Sequence, residues 1–208
     1  KTAAVCVDYQ ERILPAMTDP ETLLQNTVKL LKGLRVLGVP VYLTQQYTKG
    51  LGDTVAPIRE AAGTSEHLEK LTFSAYPQLR EKLLPPEQQP YVLLCGIESH
   101  ICVLQTAMDL KAHGYQPYLV ADCLSSRKPA DHRMALERAK QEGILLTTCE
   151  ATLFELLAAA GGPAVNLLLA AALAALGRWW EPLYLLAGAQ GVLGCFNLLP
   201  ILPLDGGR

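Results

Sequence analysis

The sequence contains no C-x-x-C pair, so a zinc ribbon or a thioredoxin-type redox site has no ligand set to start from. It has no cluster of lysine or arginine, and its formal net charge is −2. A nucleic-acid partner needs a basic face to neutralise phosphates, and none is expected here. No charged-then-apolar leader follows Lys1, so these residues do not read as a secretory signal. Charge of either sign runs out toward the other end. After Glu155 only Arg178, Glu181, Asp205 and Arg208 are charged, and residues 156–177 and 182–204 carry no charge at all. Each stretch has about the 20 residues that cross a bilayer, and "RWWE" between them supplies the tryptophans enriched at membrane interfaces. The composition therefore divides the chain in two. Residues 1–157 have the charge distribution of a soluble domain. Residues 158–208 read as an apolar helical tail, long enough for a transmembrane hairpin or for a buried helix pair that covers an apolar patch in an oligomer.

Six cysteines are present, at 6, 95, 102, 123, 149 and 195. Several lie inside apolar runs such as "AAVCVDY" and "YVLLCGI", which suits buried free thiols better than a disulfide framework. A reducing, cytoplasmic location follows, with membrane association through the tail as a further expectation.

Along residues 1–157 short β-branched runs alternate with helical patterns. "TAAVCV" (2–7), "VPVYLTQ" (39–45), "YVLLCG" (91–96), "QPYLVADC" (116–123) and "ILLTTCE" (144–150) read as strands, and "EKLTFSAY" as an extended segment. Helices are expected at "TDPETLLQNTVKLLKGLRVLG", "PQLREKLL", "VLQTAMDLKAHG", "ADHRMALERAKQEG" and "ATLFELLA". The first has Asp19 as N-cap, Pro20 in its first turn, Gly38 as its stop, and an apolar stripe of Leu23, Leu24, Val28, Leu31 and Leu34. "QYTKGLGDTVAP" lacks periodicity and reads as a long loop. The strand–helix alternation predicts an α/β fold, a parallel sheet with helices on both faces, whose ligands bind at the carboxyl ends of the strands.

Asp8, Lys70 and Cys102 fall at or beside such ends. Cys102 lies where "GIESHIC" turns into a helix, and backbone N–H groups at a helix start favour a thiolate. A nearby Lys70 would favour it further, and Asp8 could take the thiol proton. Each residue also has a plainer reading: Asp8 as a turn residue, Lys70 as a solvated charge, Cys102 as a small core side chain.

Residues 1 to about 157 resemble the isochorismatase-like cysteine hydrolase family. "VDYQERI" is similar to its opening motif, "LEKLTFSAY" to its lysine motif and "VLLCGIESHICVLQTAMDL" to its nucleophile motif. "YLVADCLSSR" and "ILLTTCEATLFELL" match later family segments in order. "LTQQYTKGLGDTV" resembles the branch called isochorismatase domain-containing proteins. The resemblance implies a six-stranded parallel sheet in a Rossmann-like sandwich and a catalytic triad of Asp8, Lys70 and Cys102. It also implies a cis peptide joining Ile97 to Glu98, and an oxyanion hole built from the backbone N–H groups of Glu98 and Cys102. Cys102 is then the nucleophile and Cys95 packing. His100 invites a Cys–His dyad, but the family gives the base role to the aspartate. His67, His113 and His132 read as surface residues.

The loop after the second strand has no histidine, so the zinc site of the family's nicotinamidases is not expected. True isochorismatases cleave a vinyl ether without a cysteine, and the presence of Cys102 argues against that reaction. The expected activity is hydrolysis of a small amide-like or related acyl substrate through a thioester. No cofactor is implied, and the expected partners are the small-molecule substrate and further copies of the chain in a homo-oligomer.

The tail resembles a fragment of the site-2 protease family of intramembrane zinc metalloproteases. "GGPAVNLLLA" is similar to its Gly-Pro-x-x-Asn motif, and "FNLLPILPLDGGR" to the motif whose aspartate, here Asp205, ligates zinc. The H-E-x-x-H partner motif is missing, and catalytic zinc needs about three protein ligands. A membrane metalloprotease fragment, or a non-catalytic oligomeric scaffold, is the alternative to the hydrolase.

Overall fold

Six strands build one parallel sheet; the two at its centre, Thr2–Val7 and Tyr91–Ile97, are apolar runs buried on both faces, and crossover connections join such strands. The computed structural model describes residues 1–179 and 181–198. The strands are β1 (Thr2–Val7), β2 (Val41–Gln46), β3 (His67–Lys70), β4 (Tyr91–Ile97), β5 (Gln116–Ser125) and β6 (Leu145–Thr147), in the order β3-β2-β1-β4-β5-β6. The helices are α1 (Pro20–Val36), α2 (Thr48–Leu51), α3 (Ala56–Ala62), α4 (Tyr76–Leu79), α5 (Leu104–Ala112), α6 (Pro129–Gln141), α7 (Cys149–Leu176) and α8 (Pro182–Leu198). This is the Rossmann-like order, and it reverses direction between β1 and β4. In sheets of this order ligands bind at that point, outside the carboxyl ends of the strands.

Local signals explain most boundaries. The Asp19 carboxylate accepts a hydrogen bond from the Thr22 N–H, Pro20 occupies the first turn, and Gly38 past the end of α1 has φ 70°. The buried face of α1 is Leu23, Thr27, Leu30, Leu31 and Leu34. Leu24 and Val28, expected in the apolar stripe, lie at its margin. Thr27 replaces them because its hydroxyl is satisfied in the core, by the Leu23 carbonyl and by the buried Tyr9 hydroxyl. The segment read as a loop, residues 46–57, holds α2 and the first two residues of α3. Pro57 in the first turn of α3 and Gly63 beyond its end (φ 73°) are ordinary start and stop signals, and Ile58 and Ala61 are buried. One short helix shows too few turns for its periodicity to register.

The chain forms two compact units, Thr2–Leu153 and the residues from Phe154 onward. In the second, α8 runs back along α7. Gly194 faces Leu167 and Asn166, Gly191 faces Ala170, and Gly177 meets the Tyr184 ring. Among the described residues no helix is long and apolar enough to cross a membrane. The membrane hairpin expected from the charge-free stretches, and membrane association with it, therefore has no support. At 17 residues α8 spans roughly 26 Å, short of the roughly 30 Å hydrocarbon core. Asp205 lies outside the described residues.

Gly96 lets β4 lie close to β1. A Cβ there would sit 2.6 Å from Val7 Cβ and 2.7 Å from the Val7 carbonyl oxygen. Gly96→Ala is expected to lower unfolding free energy by about 3 kcal/mol, read as a reduced urea midpoint. An unchanged midpoint would show that the two strands can separate freely.

Candidate active site

The parallel register places the three polar residues. Val7 pairs with Thr44 on β2 and with Gly96 on β4, so Asp8 emerges between the ends of those strands. Asp8 has φ 59°, a left-handed conformation that aspartate tolerates. Gln46 of β2 pairs with Lys70 at the end of β3. Lys70 is thus two strands from β1, roughly 10 Å away, a distance that only a long side chain meeting a short one can close. It does so: Lys70 Nζ lies 2.6 Å from Asp8 Oδ2, both side chains being buried.

Each partner is braced. The Thr44 hydroxyl donates to Asp8 Oδ1 at 2.7 Å. Lys70 Nζ donates to Gln46 Oε1 at 2.7 Å, to the Phe73 carbonyl at 3.0 Å and to the Thr72 carbonyl at 3.3 Å. Gln10 fixes the end of β2, accepting from the Gln46 N–H at 2.7 Å and donating to the Gln46 carbonyl at 3.0 Å. Asp8 Oδ2 has no donor aligned with it as a hydrogen bond, so its contact with Lys70 is an ion pair and the oxygen keeps a lone pair free.

Cys102 lies in a single π-helical turn, Ser99–Val103, between β4 and α5. Such one-turn π segments recur at functional sites. Glu98 precedes the turn with φ 52° and ψ 59°. The Cys102 thiol is buried, and its pKa is pushed up to about 12. Burial is the largest cause, followed by the Asp8 charge; the Lys70 charge works against them, while a hydrogen bond to Asp8 and the Glu98 charge add to the rise. Burial thus favours the neutral thiol at neutral pH, against the acidified thiolate expected from the helix start. Desolvation outweighs the pull of the lysine.

Cys95 is a core residue. It is 2% exposed, and its sulfur lies 3.4 Å from Cys6 Sγ. Cys6, Cys95, Cys102, Cys123 and Cys149 are all buried free thiols, while Cys195 is exposed. His67 and His113 are exposed, the latter stacking on Tyr76. His132 was expected at the surface but is half-buried, with Nδ1 3.0 Å from Ser99 Oγ. Burial lowers its pKa. His100 Nδ1 lies 3.0 Å from Ser126 Oγ and 3.4 Å from Glu98 Oε2, and Glu98 is ion-paired to Arg127. Among the described residues no group of three His, Cys, Asp or Glu is placed to hold a metal ion.

Sequence reasoning missed Thr44 and Gln46, although their spacing of two at the end of a strand puts both on one face. It also missed Gln10, Ser99 and Ser126. Those three are polar residues in turns, and nothing local marks such residues as buried.

Comparison with known proteins agrees with the fold. The isochorismatase domain matches residues 2–151. The chain belongs to the isochorismatase domain family. Isochorismatase domain-containing protein 1 of Danio rerio is 40% identical over 154 residues, covering 74% of this chain and 54% of that protein. Isochorismatase domain-containing protein 2A of Mus musculus is 38% identical over 156 residues, 75% of each. The structure of MAR1 ribonuclease from Caenorhabditis elegans superposes with a TM-score of 0.70 at 33% identity, over 76% of this chain and 82% of that one. The chain spans about half the length of the first of these relatives. The family match ends at residue 151, and the resemblance of the tail to site-2 proteases receives no support from these comparisons.

Two outcomes follow from this isochorismatase-domain site. Asp8→Asn leaves the Lys70 charge buried without its partner and is expected to cost about 3–5 kcal/mol in urea unfolding, with much of the loss recovered when Lys70→Met is added. Stability unchanged in the single variant would mean that Lys70 is not held by Asp8. A thiol whose pKa lies far above neutrality is protonated at pH 7. Alkylation of Cys102 by iodoacetamide should then rise about tenfold per pH unit from pH 7 to 10 with no plateau. A rate already level at pH 7 would reveal a resting thiolate.

Proposed function

We propose that this domain is a cysteine hydrolase that acts on a small amide-like or related acyl substrate through a thioester. The observation that carries the reading is the buried Asp8–Lys70 ion pair, whose two charges both act on the buried Cys102 thiol. Asp8 takes the thiol proton as Cys102 Sγ attacks the acyl carbon, so no free thiolate accumulates in a site that disfavours it. The backbone N–H groups of Glu98 and Cys102 accept the charge that develops on the carbonyl oxygen. Asp8 then hands the proton to the departing nitrogen or oxygen, and the thioester forms. A water, deprotonated by Asp8, attacks the thioester; the acid leaves and the thiol is restored. Lys70 holds the Asp8 carboxylate in place through their ion pair.

The ribonuclease name of the C. elegans relative raises a phosphodiester as the substrate. That reading needs a surface complementary to phosphates, whereas this chain has net charge −2 and no basic cluster. A neutral acyl compound fits better. Homo-oligomer formation is part of the reading: Tyr47, Leu71 and Phe73 are exposed apolar side chains at the carboxyl ends of β2 and β3. Five buried unpaired thiols fit a reducing, cytoplasmic setting.

The test is mass spectrometry of the protein after exposure to a library of amides and esters. The expected result is an acyl adduct on the Cys102 peptide, absent in Cys102→Ala, with turnover of the matching compound reduced about 10²–10⁴-fold in Asp8→Asn. A library that yields neither adduct nor turnover counts against the hydrolase.

A further inference from the structure

Behind the Cys102 turn, four side chains form one hydrogen-bonded line. His132 Nδ1 of α6 lies 3.0 Å from Ser99 Oγ, Ser99 Oγ lies 2.6 Å from Ser126 Oγ, and Ser126 Oγ lies 3.0 Å from His100 Nδ1. Ser99 is 1% exposed and Ser126 0%, so neither hydroxyl can turn to bulk water. Ser99 and His100 belong to the same π-helical turn as Cys102, whereas Ser126 follows β5 and His132 stands on α6. The line ties the nucleophile's turn to the two elements beside it.

Counting protons fixes its chemistry. The three bonds need three protons, and the two hydroxyls supply two. The third comes from one imidazole Nδ1, and the other imidazole must present a bare Nδ1 as acceptor. If both rings were charged, four protons would compete for three bonds, and a buried hydroxyl would be left without an acceptor. The surroundings decide which ring donates. His100 faces two carboxylates, Glu98 Oε2 at 3.4 Å and Asp131 Oδ2 at 3.8 Å, and Glu98 Oε2 is buried without a hydrogen-bond partner. His132 is in none of the ion pairs of the described residues. Its other charged neighbours are Asp19 of α1, Asp122 of β5 and Arg133 of its own helix, which line with it a cavity of about 340 Å³. Burial also favours its neutral form. The donor is His100, and the acceptor is His132.

We propose that His132 is a positioning residue for the Cys102 turn, holding the Ser99 hydroxyl as a neutral acceptor, and that a proton on its Nδ1 releases the turn. The proposal rests on Cys102 being the nucleophile. An asparagine at 132 can offer its amide oxygen where Nδ1 stands, and that oxygen does not titrate. The experiment measures iodoacetamide alkylation of Cys102 by mass spectrometry from pH 5 to 8 in the full chain, which reads the thiol whether or not an acyl substrate is ever found.

Thiol titration alone lowers the rate about 100-fold between pH 7 and pH 5. The wild-type protein is expected to fall at least about threefold further as its turn is released. His132→Asn should show thiol titration only and keep at least about a third of the wild-type rate at pH 7. Ser99→Ala should be slower than wild type at pH 7 and lack the extra fall. A wild-type profile that follows thiol titration alone overturns the proposal, as does His132→Asn that keeps the extra fall. If His132→Asn does not fold, Ser99→Ala decides: a rate and pH profile equal to wild type overturns it.

Discussion

A single ion pair that bridges over one strand sets the conditions for everything around it. Lys70 and Asp8 leave strands that are not neighbours, and β2 runs between them. Two buried opposite charges at 2.6 Å remove the cost that either would carry alone, and the lysine's remaining donors are taken by Gln46 and by the carbonyls of Thr72 and Phe73. The arrangement therefore needs the sheet order, the Val7–Thr44 and Gln46–Lys70 register, and the turn after β3 all at once. A one-residue slip in β2 would turn both Thr44 and Gln46 to the wrong face.

The same burial that makes the pair strong sets the state of the sulfur. A lysine near a cysteine suggests a thiolate, yet here burial and the Asp8 charge act against the lysine and are the larger causes. The outcome is a neutral thiol at neutral pH. Glu98, on the far side of the turn, adds to the cost of a second negative charge, and its own charge is met by Arg127 and by the adjacent His100.

Much of the domain was legible because its signals are local. β1 begins and ends at the expected residues, Asp19 and Gly38 bracket α1, and the family motifs locate Asp8, Lys70 and Cys102. Features decided by partners distant in sequence were not. The short α3 shows too little periodicity. Thr27 enters the core because Tyr9 meets it, and His132 leaves the surface because Ser99 lies beneath it. The tail shows the converse: freedom from charge is visible in sequence, but among the described residues no helix is long and apolar enough to cross a membrane.

The sequence by itself determined the strand–helix alternation, the parallel sheet and the identity of three residues at strand ends, since hydrophobic periodicity and capping act over a few neighbouring residues. Only the tertiary structure decided the protonation of Cys102 and the partners of its turn. Burial and Coulomb interaction depend on distance in space, and that distance is fixed by sheet order and register rather than by spacing along the chain.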